Sequence, residues 1–195
     1  YSGTGTTWSD LSGNNRDLTW TKVGGTAVYK SSGNLSIPVW ETGNNQSRIT
    51  AAVASDVKTV LFIFDPLVDP VNDNFQQIFL SAGTGTYAGY FDNIASGGMV
   101  GGVNAHSGLT AEYLVNGNSN PTPSEAQAAL EQNKLNSFFM RSYNVAATWD
   151  FFEYPTSGYN DSIQLRAIVM WDVSLTDAEM TIAHNSYPQM ATWDG

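Results

Sequence analysis

The chain has 195 residues, with 8 Lys and Arg against 18 Asp and Glu, so its formal net charge is −10. It cannot assemble the basic stripe that phosphate-backbone recognition needs, which excludes a DNA or RNA binder. With no cysteine there is no disulfide framework, thiol nucleophile or cysteine metal site.

Only 13% of residues are charged while 42% are hydrophobic and 12% aromatic, which is a folded composition. Gly, Ser, Thr and Asn supply the polar share, a mix suited to many short strands joined by turns. Apolar runs such as Val60–Phe64 and Ala167–Trp171 fall far short of the roughly 20 residues that span a bilayer, so a soluble chain is expected. The first residue is Tyr and no signal-peptide pattern follows, as expected of a mature product or a piece of something longer.

In chain order, β-branched and aromatic runs bounded by Gly, Asn, Asp and Pro predict strands over Leu35–Trp40, Arg48–Ala54, Thr59–Phe64, Gln76–Ser81, Tyr87–Asn93 and Gly98–Asn104. Further strands are predicted over Thr110–Val115, Ser137–Ser142, Thr148–Tyr154 and Ile163–Val173. A spacing of about 8–12 residues is that of an all-β sandwich or barrel. Around Thr110–Val115 the pattern alternates, with Leu109, Ala111, Tyr113 and Val115 on one face and Thr110, Glu112 and Leu114 on the other. It runs into Asn116-Gly117, a hairpin dipeptide whose two residues both tolerate positive φ. The continuously apolar Ala167–Trp171 predicts a strand covered on both faces.

Two short helices are expected. Thr176 with Glu179 makes a capping box that opens a helix through about Asn185, and Ser124 with Gln127 makes a similar box after the loop-like Pro121-Thr122-Pro123. With no internal repeat and no long linker, residues 1–195 read as a single domain.

Two stretches resemble the laminin-G-like branch of the concanavalin A-like lectin and glucanase superfamily. Thr7-Trp8-Ser9-Asp10-Leu11-Ser12-Gly13-Asn14-Asn15-Arg16-Asp17-Leu18-Thr19-Trp20 is similar to the family's opening strand and turn. Ile168-Val169-Met170-Trp171-Asp172, followed by Val173-Ser174-Leu175-Thr176-Asp177-Ala178-Glu179-Met180, is similar to its closing strand and helix. The resemblance runs from about Thr7 to Tyr187 and implies a jelly-roll sandwich of two curved antiparallel sheets. Folds of this kind host lectins, hydrolases, lyases and adhesion modules. The residues fit that reading independently: Ser12–Asn15 supply turn formers, Trp8 and Trp20 can bury large surfaces beside the turn, and the closing helix is expected to cap an open end of the sandwich.

Catalysis has little in its favour. Retaining glycosidases need two carboxylates about 5–5.5 Å apart, yet Asp92, Glu112, Glu153 and Asp172 each stand alone on their strands and can meet only across strands. A lyase would need His106 as base with Tyr143 or Tyr159, but the Arg-rich and Gln-x-His strand motifs expected of such lyases are missing. His184 on the closing helix reads as a packing or surface residue. No nucleotide, Ser/His/Asp or HExxH motif occurs.

Binding has more. Asp65, Asp69, Asn72 and Asp73 concentrate hard oxygen ligands after a strong strand, which suits calcium, although the spacing matches no EF-hand. Carbohydrate recognition wants aromatic faces beside amides and carboxylates. Trp149, Tyr154, Tyr159, Asn160 and Asp161 offer that mix, as do Tyr87, Tyr90 and Asp92; Trp40-Glu41 and Trp171-Asp172 carry the same choice between core and surface. The Trp149–Tyr154 strand alternates, so some of its rings belong to the core. The sequons at Asn34, Asn45 and Asn160 are expected by chance in a chain this rich in Asn and Ser.

The expectation is a non-catalytic module on a secreted protein or a virion surface that binds a glycan or cell-surface receptor. A structural virion decoration or fibre domain with protein partners is the alternative, and a polysaccharide hydrolase or lyase the next.

Overall fold

A computed structural model describes residues 7–15, 17–24, 28–29, 35–37, 48–52, 56–66, 69–70, 76–81, 87–92, 112–119, 121–141, 150–151 and 163–186. The strands are β1 (Thr7–Trp8), β2 (Leu18–Thr19), β3 (Thr21–Gly24), β4 (Val28–Tyr29), β5 (Leu35–Ile37), β6 (Arg48–Ala52), β7 (Thr59–Pro66), β8 (Gln76–Ser81) and β9 (Tyr87–Asp92). They continue with β10 (Glu112–Val115), β11 (Asn118–Ser119), β12 (Asn136–Arg141), β13 (Asp150–Phe151) and β14 (Ile163–Trp171); the helices are α1 (Pro123–Ala129) and α2 (Asp177–Ser186). The protein is all-β, built on two antiparallel sheets. One runs β11-β10-β12-β7-β14-β5-β4 and the other β3-β6-β13-β8-β9, while β1 and β2 pair separately.

The sheets bury their facing sides on each other. Phe62 of β7 lies 4.8 Å from Phe79 of β8 and 5.6 Å from Phe151 of β13, between ring centroids. Phe79 also meets Phe64 at 4.9 Å and Phe138 at 5.2 Å. Tilted and edge-on rings at these separations add about 0.5–1.5 kcal/mol per pair beyond the area they bury. Trp20 extends this core to Phe151 at 6.1 Å and takes Trp8 edge-on at 5.4 Å, joining the small β1–β2 pair to it.

β7 is buried along its whole length because the larger sheet is covered on both sides. Val60, Phe62 and Phe64 face the sandwich interior, whereas Leu61 and Ile63 join a second cluster with Leu114, Phe139, Leu175 and Met180. Met180 and Ala183 come from α2. The closing helix therefore lies across the outer face of the seven-stranded sheet and does not cap an open end, because its apolar residues match the outward residues of β7, β10 and β12.

β14 shows how one residue sets a face. Leu165 pairs with Phe64 and Ala167 with Ile63, so Arg166 is an extra residue in a β-bulge. Before it, Ile163 and Leu165 point inward; after it, Ile168 and Met170 do, leaving Ala167, Val169 and Trp171 on the outer face.

The Asn116-Gly117 hairpin forms as expected, with Leu114 opposite Ser119, Val115 opposite Asn118 and φ of 47° and 84° at the two turn residues, the type I′ geometry. The box at Thr176 also forms: Thr176 N donates to Glu179 Oε2 at 2.7 Å, and Glu179 N to Thr176 Oγ1 at 3.3 Å. The cap of α1 falls two residues earlier than expected. Thr122, not Ser124, is the N-cap and Glu125, not Gln127, closes the box, with Thr122 N to Glu125 Oε2 at 2.8 Å. Pro123 thereby takes the first helical position, where a missing N–H costs nothing. Strands β3 and β4 lie outside the predicted runs, being only four and two residues long. The expected strand over Gly98–Asn104 lies outside the described residues.

Candidate functional site

Antiparallel register sorts the outer face of the larger sheet into rows. Glu112, Arg141, Thr59 and Trp171 stand side by side, then Leu114, Phe139, Leu61 and Val169, then Ser137, Ile63 and Ala167. The middle row is the apolar bed for α2; the outer rows carry the polar groups.

At one end, Arg141 gathers three elements. Its Nη2 lies 2.6 Å from Glu112 Oε2 and 2.5 Å from Asp177 Oδ1, and its Nη1 donates to the Leu175 carbonyl at 2.6 Å. Thr59 fastens the same corner, its Oγ1 donating to Val173 O at 2.8 Å and accepting from Leu175 N at 3.0 Å. Trp171 is half-buried and stacks on Phe139 at 6.2 Å, with Asp172 exposed beside it.

Further along, Ser137 Oγ lies 2.8 Å from His184 Nδ1. Burial holds the His184 imidazole below the usual histidine range. The ring packs over the hairpin: a Cβ on Gly117 would stand 3.3 Å from His184 Cδ2, so the ring would have to give by a few tenths of an ångström, while the φ of 84° itself favours glycine.

Asn116 and Asn136 form the polar centre of this region. Asn116 Nδ2 donates to Ala129 O at 2.5 Å and Asn136 Oδ1 at 2.8 Å, while its Oδ1 accepts from Ser137 N at 2.7 Å. Asn136, 1% exposed, donates to Glu131 O at 2.8 Å and Lys134 O at 2.7 Å and accepts from Glu131 N at 2.9 Å. Every donor of both amides is used, as a buried polar network requires.

On the far side of the face, Asp65 is an ion-pair partner inside β7. Its Oδ2 accepts from Arg166 Nε at 2.9 Å and Nη2 at 2.6 Å, while Oδ1 is buried without a hydrogen-bond partner. The bulge at Arg166 delivers that guanidinium. Of the other expected calcium ligands, Asp69 is half-buried, and Asn72 and Asp73 lie outside the described residues. Among the described residues no three His, Cys, Asp or Glu side chains gather to hold a metal ion.

The expected glycan contacts Trp149, Tyr154, Tyr159, Asn160 and Asp161 lie outside the described residues, as do His106, Tyr143, Glu153, Trp40, Glu41 and the sequon asparagines Asn34, Asn45 and Asn160. Phe151, between Trp149 and Tyr154 in sequence, is fully buried in the core. The isolated strand acid Glu112 meets Asp177 through Arg141, a juxtaposition that no local pattern announces. Of the other described acids, Glu125 and Glu179 cap helices, Glu131 pairs with Lys134, and two brace a turn: Asp17 Oδ1 accepts from Asp10 N and Asp10 Oδ1 from Ser12 N, each at 2.7 Å. The Thr122 and Thr176 bonds hold both cap carboxylates below the usual glutamate range. No described helix is long and apolar enough to cross a membrane.

Comparison with protein-family models, with curated proteins and with solved structures gives no match in any of the three. What these elements define is the class: an all-β protein of two packed antiparallel sheets.

Proposed function

We propose that this chain is a non-catalytic surface-binding module of laminin-G-like, jelly-roll type, recognising a glycan or cell-surface receptor from a secreted protein or virion surface. The observation that supports it best is the Glu112–Arg141–Asp177 cluster. Between Glu112 and Asp177 the Arg141 guanidinium occupies the space that a glycosidic oxygen and a water would need. Ser137 points the same way: it is 4% exposed, out of reach of a substrate, and its histidine partner has no carboxylate orienting it among the described residues. Recognition is assigned to Trp149, Tyr154, Tyr159, Asn160 and Asp161, whose rings and amides suit sugar faces and hydroxyls. Calcium, if Asp69, Asn72 and Asp73 hold it, draws on Asp65 only through Oδ1, since Oδ2 serves Arg166.

Binding to immobilised glycans and intact cells, with and without chelator, tests this reading. Trp149→Ala and Tyr159→Ala are expected to weaken binding at least about tenfold, the loss of a stacking contact of over 1 kcal/mol. Equal binding by both variants would move the site elsewhere.

One observation favours a second reading, a structural decoration with protein partners: Leu11, Val173 and Ile182 are 80%, 52% and 66% exposed. Exposed large side chains on a low-charge surface serve as contact anchors. Binding to a partner protein and to no glycan is the result expected from it.

A further inference from the structure

The chain contains one Asn-Gly dipeptide, Asn116-Gly117, the pair most prone to spontaneous deamidation because glycine leaves the following backbone nitrogen unhindered. In that reaction the Gly117 nitrogen attacks Asn116 Cγ and the Cγ–Nδ2 bond breaks. The amide leaves as ammonia, carrying away the Gly117 proton, and a succinimide remains. Water then opens either imide bond, giving aspartate or isoaspartate, with no oxidant or reductant involved.

The fold blocks the first step. Cγ of Asn116 is held from both sides, with Oδ1 accepting from Ser137 N and Nδ2 donating to Ala129 O and Asn136 Oδ1. The orientation of the amide is forced, since Ser137 N needs an acceptor and the Ala129 carbonyl a donor. Asn116 N is itself bonded to Ser137 O at 3.0 Å, and His184 packs on the turn from the other side. Swinging Cγ towards Gly117 N breaks all three side-chain bonds.

The product is also incompatible with the site. A carboxylate in place of the amide has no donor for Ala129 O or Asn136 Oδ1 and sets negative charge against both oxygens, while Asn136 has no spare donor to turn towards it. Isoaspartate adds a methylene to a two-residue turn, which the Leu114–Ser119 and Val115–Asn118 pairing cannot absorb.

We propose that Asn116-Gly117 is a modification site masked by the fold: protected while the hairpin is closed, deamidated once it opens, and thereafter a chemical penalty on re-forming the hairpin. A chain left unfolded is marked irreversibly, whereas a folded one keeps its amide.

The test follows Asn116 by peptide mapping, scoring the amide-to-acid mass gain and isoaspartate, in protein kept native or in urea at the same mildly alkaline pH. With three hydrogen bonds to open, the native rate is expected to be on the order of a hundredfold slower. In Asn136→Ala, which removes one acceptor, the native rate is expected to rise while the rate in urea stays unchanged. Protein deamidated in urea is expected to refold with a lower urea midpoint than protein unfolded briefly. Equal rates in native protein and urea, or deamidated protein refolding to the original midpoint, would overturn the proposal.

Discussion

Ser137 Oγ and His184 Nδ1 are 2.8 Å apart, and that bond ties the last turn of α2 to the central part of the seven-stranded sheet. A helix C-terminus favours the imidazolium, but burial outweighs it and holds the ring below the usual histidine range. With the folded value depressed, the contribution is complete above the unfolded value of about 6.5 and is lost as pH falls through the folded one. The urea midpoint of the wild type is expected to drop across that window. In His184→Asn, whose amide oxygen replaces Nδ1 without titrating, the step is expected to vanish. An identical pH profile for both proteins would refute the assignment.

Arg141 is the tie between β12, β10 and the start of α2. Arg141→Leu leaves Glu112 and Asp177 adjacent without their cation and the Leu175 carbonyl without its donor. Both carboxylates are half exposed, so water screens much of the charge term, and a loss of about 1–3 kcal/mol is expected. Chemical denaturation at low and high salt checks it, the difference between variant and wild type shrinking with salt.

The Asp65–Arg166 pair is more enclosed, with side chains 9% and 26% exposed. Removing only the guanidinium strands a buried carboxylate whose Oδ1 already has no partner, and Arg166→Leu is expected to cost about 3–5 kcal/mol. The double variant Asp65→Leu with Arg166→Leu is expected to recover most of that, measured by urea unfolding of the single and double variants. A loss below about 1 kcal/mol in the single variant would mean the pair behaves as a surface ion pair.

Phe62 touches Phe79, Phe138 and Phe151 and so bridges the two sheets. Phe62→Ala is expected to lower stability by about 3–5 kcal/mol, in contrast to Ile182→Ala on the exposed face of α2, where a change within about 0.5 kcal/mol is expected. Thermal unfolding of the two variants separates them.

Local chemistry carried much of the fold. Asn116-Gly117 and Thr176-x-x-Glu179 dictate their turn and cap through adjacent atoms, and the strand runs from Thr59 to Phe64 and from Ile163 onward are visible in composition alone. The bulge at Arg166 was hidden because β14 is apolar at both parities beyond it, so no alternation betrays the change of face. The α1 cap lies two residues before Ser124 because Glu125 reaches back to Thr122, a residue whose two flanking prolines give it the pattern of a loop. The Arg141 cluster and the Ser137–His184 bond join residues 29 and 47 positions apart, distances at which sequence spacing says nothing about contact.

Recognition without cleavage is tested by applying the whole chain to a glycan array and then analysing the bound glycans by product chromatography. Saturable binding to a defined glycan class is expected, with every bound glycan recovered intact. Release of new reducing ends or unsaturated products, abolished in Glu112→Gln with Asp177→Asn, would contradict it.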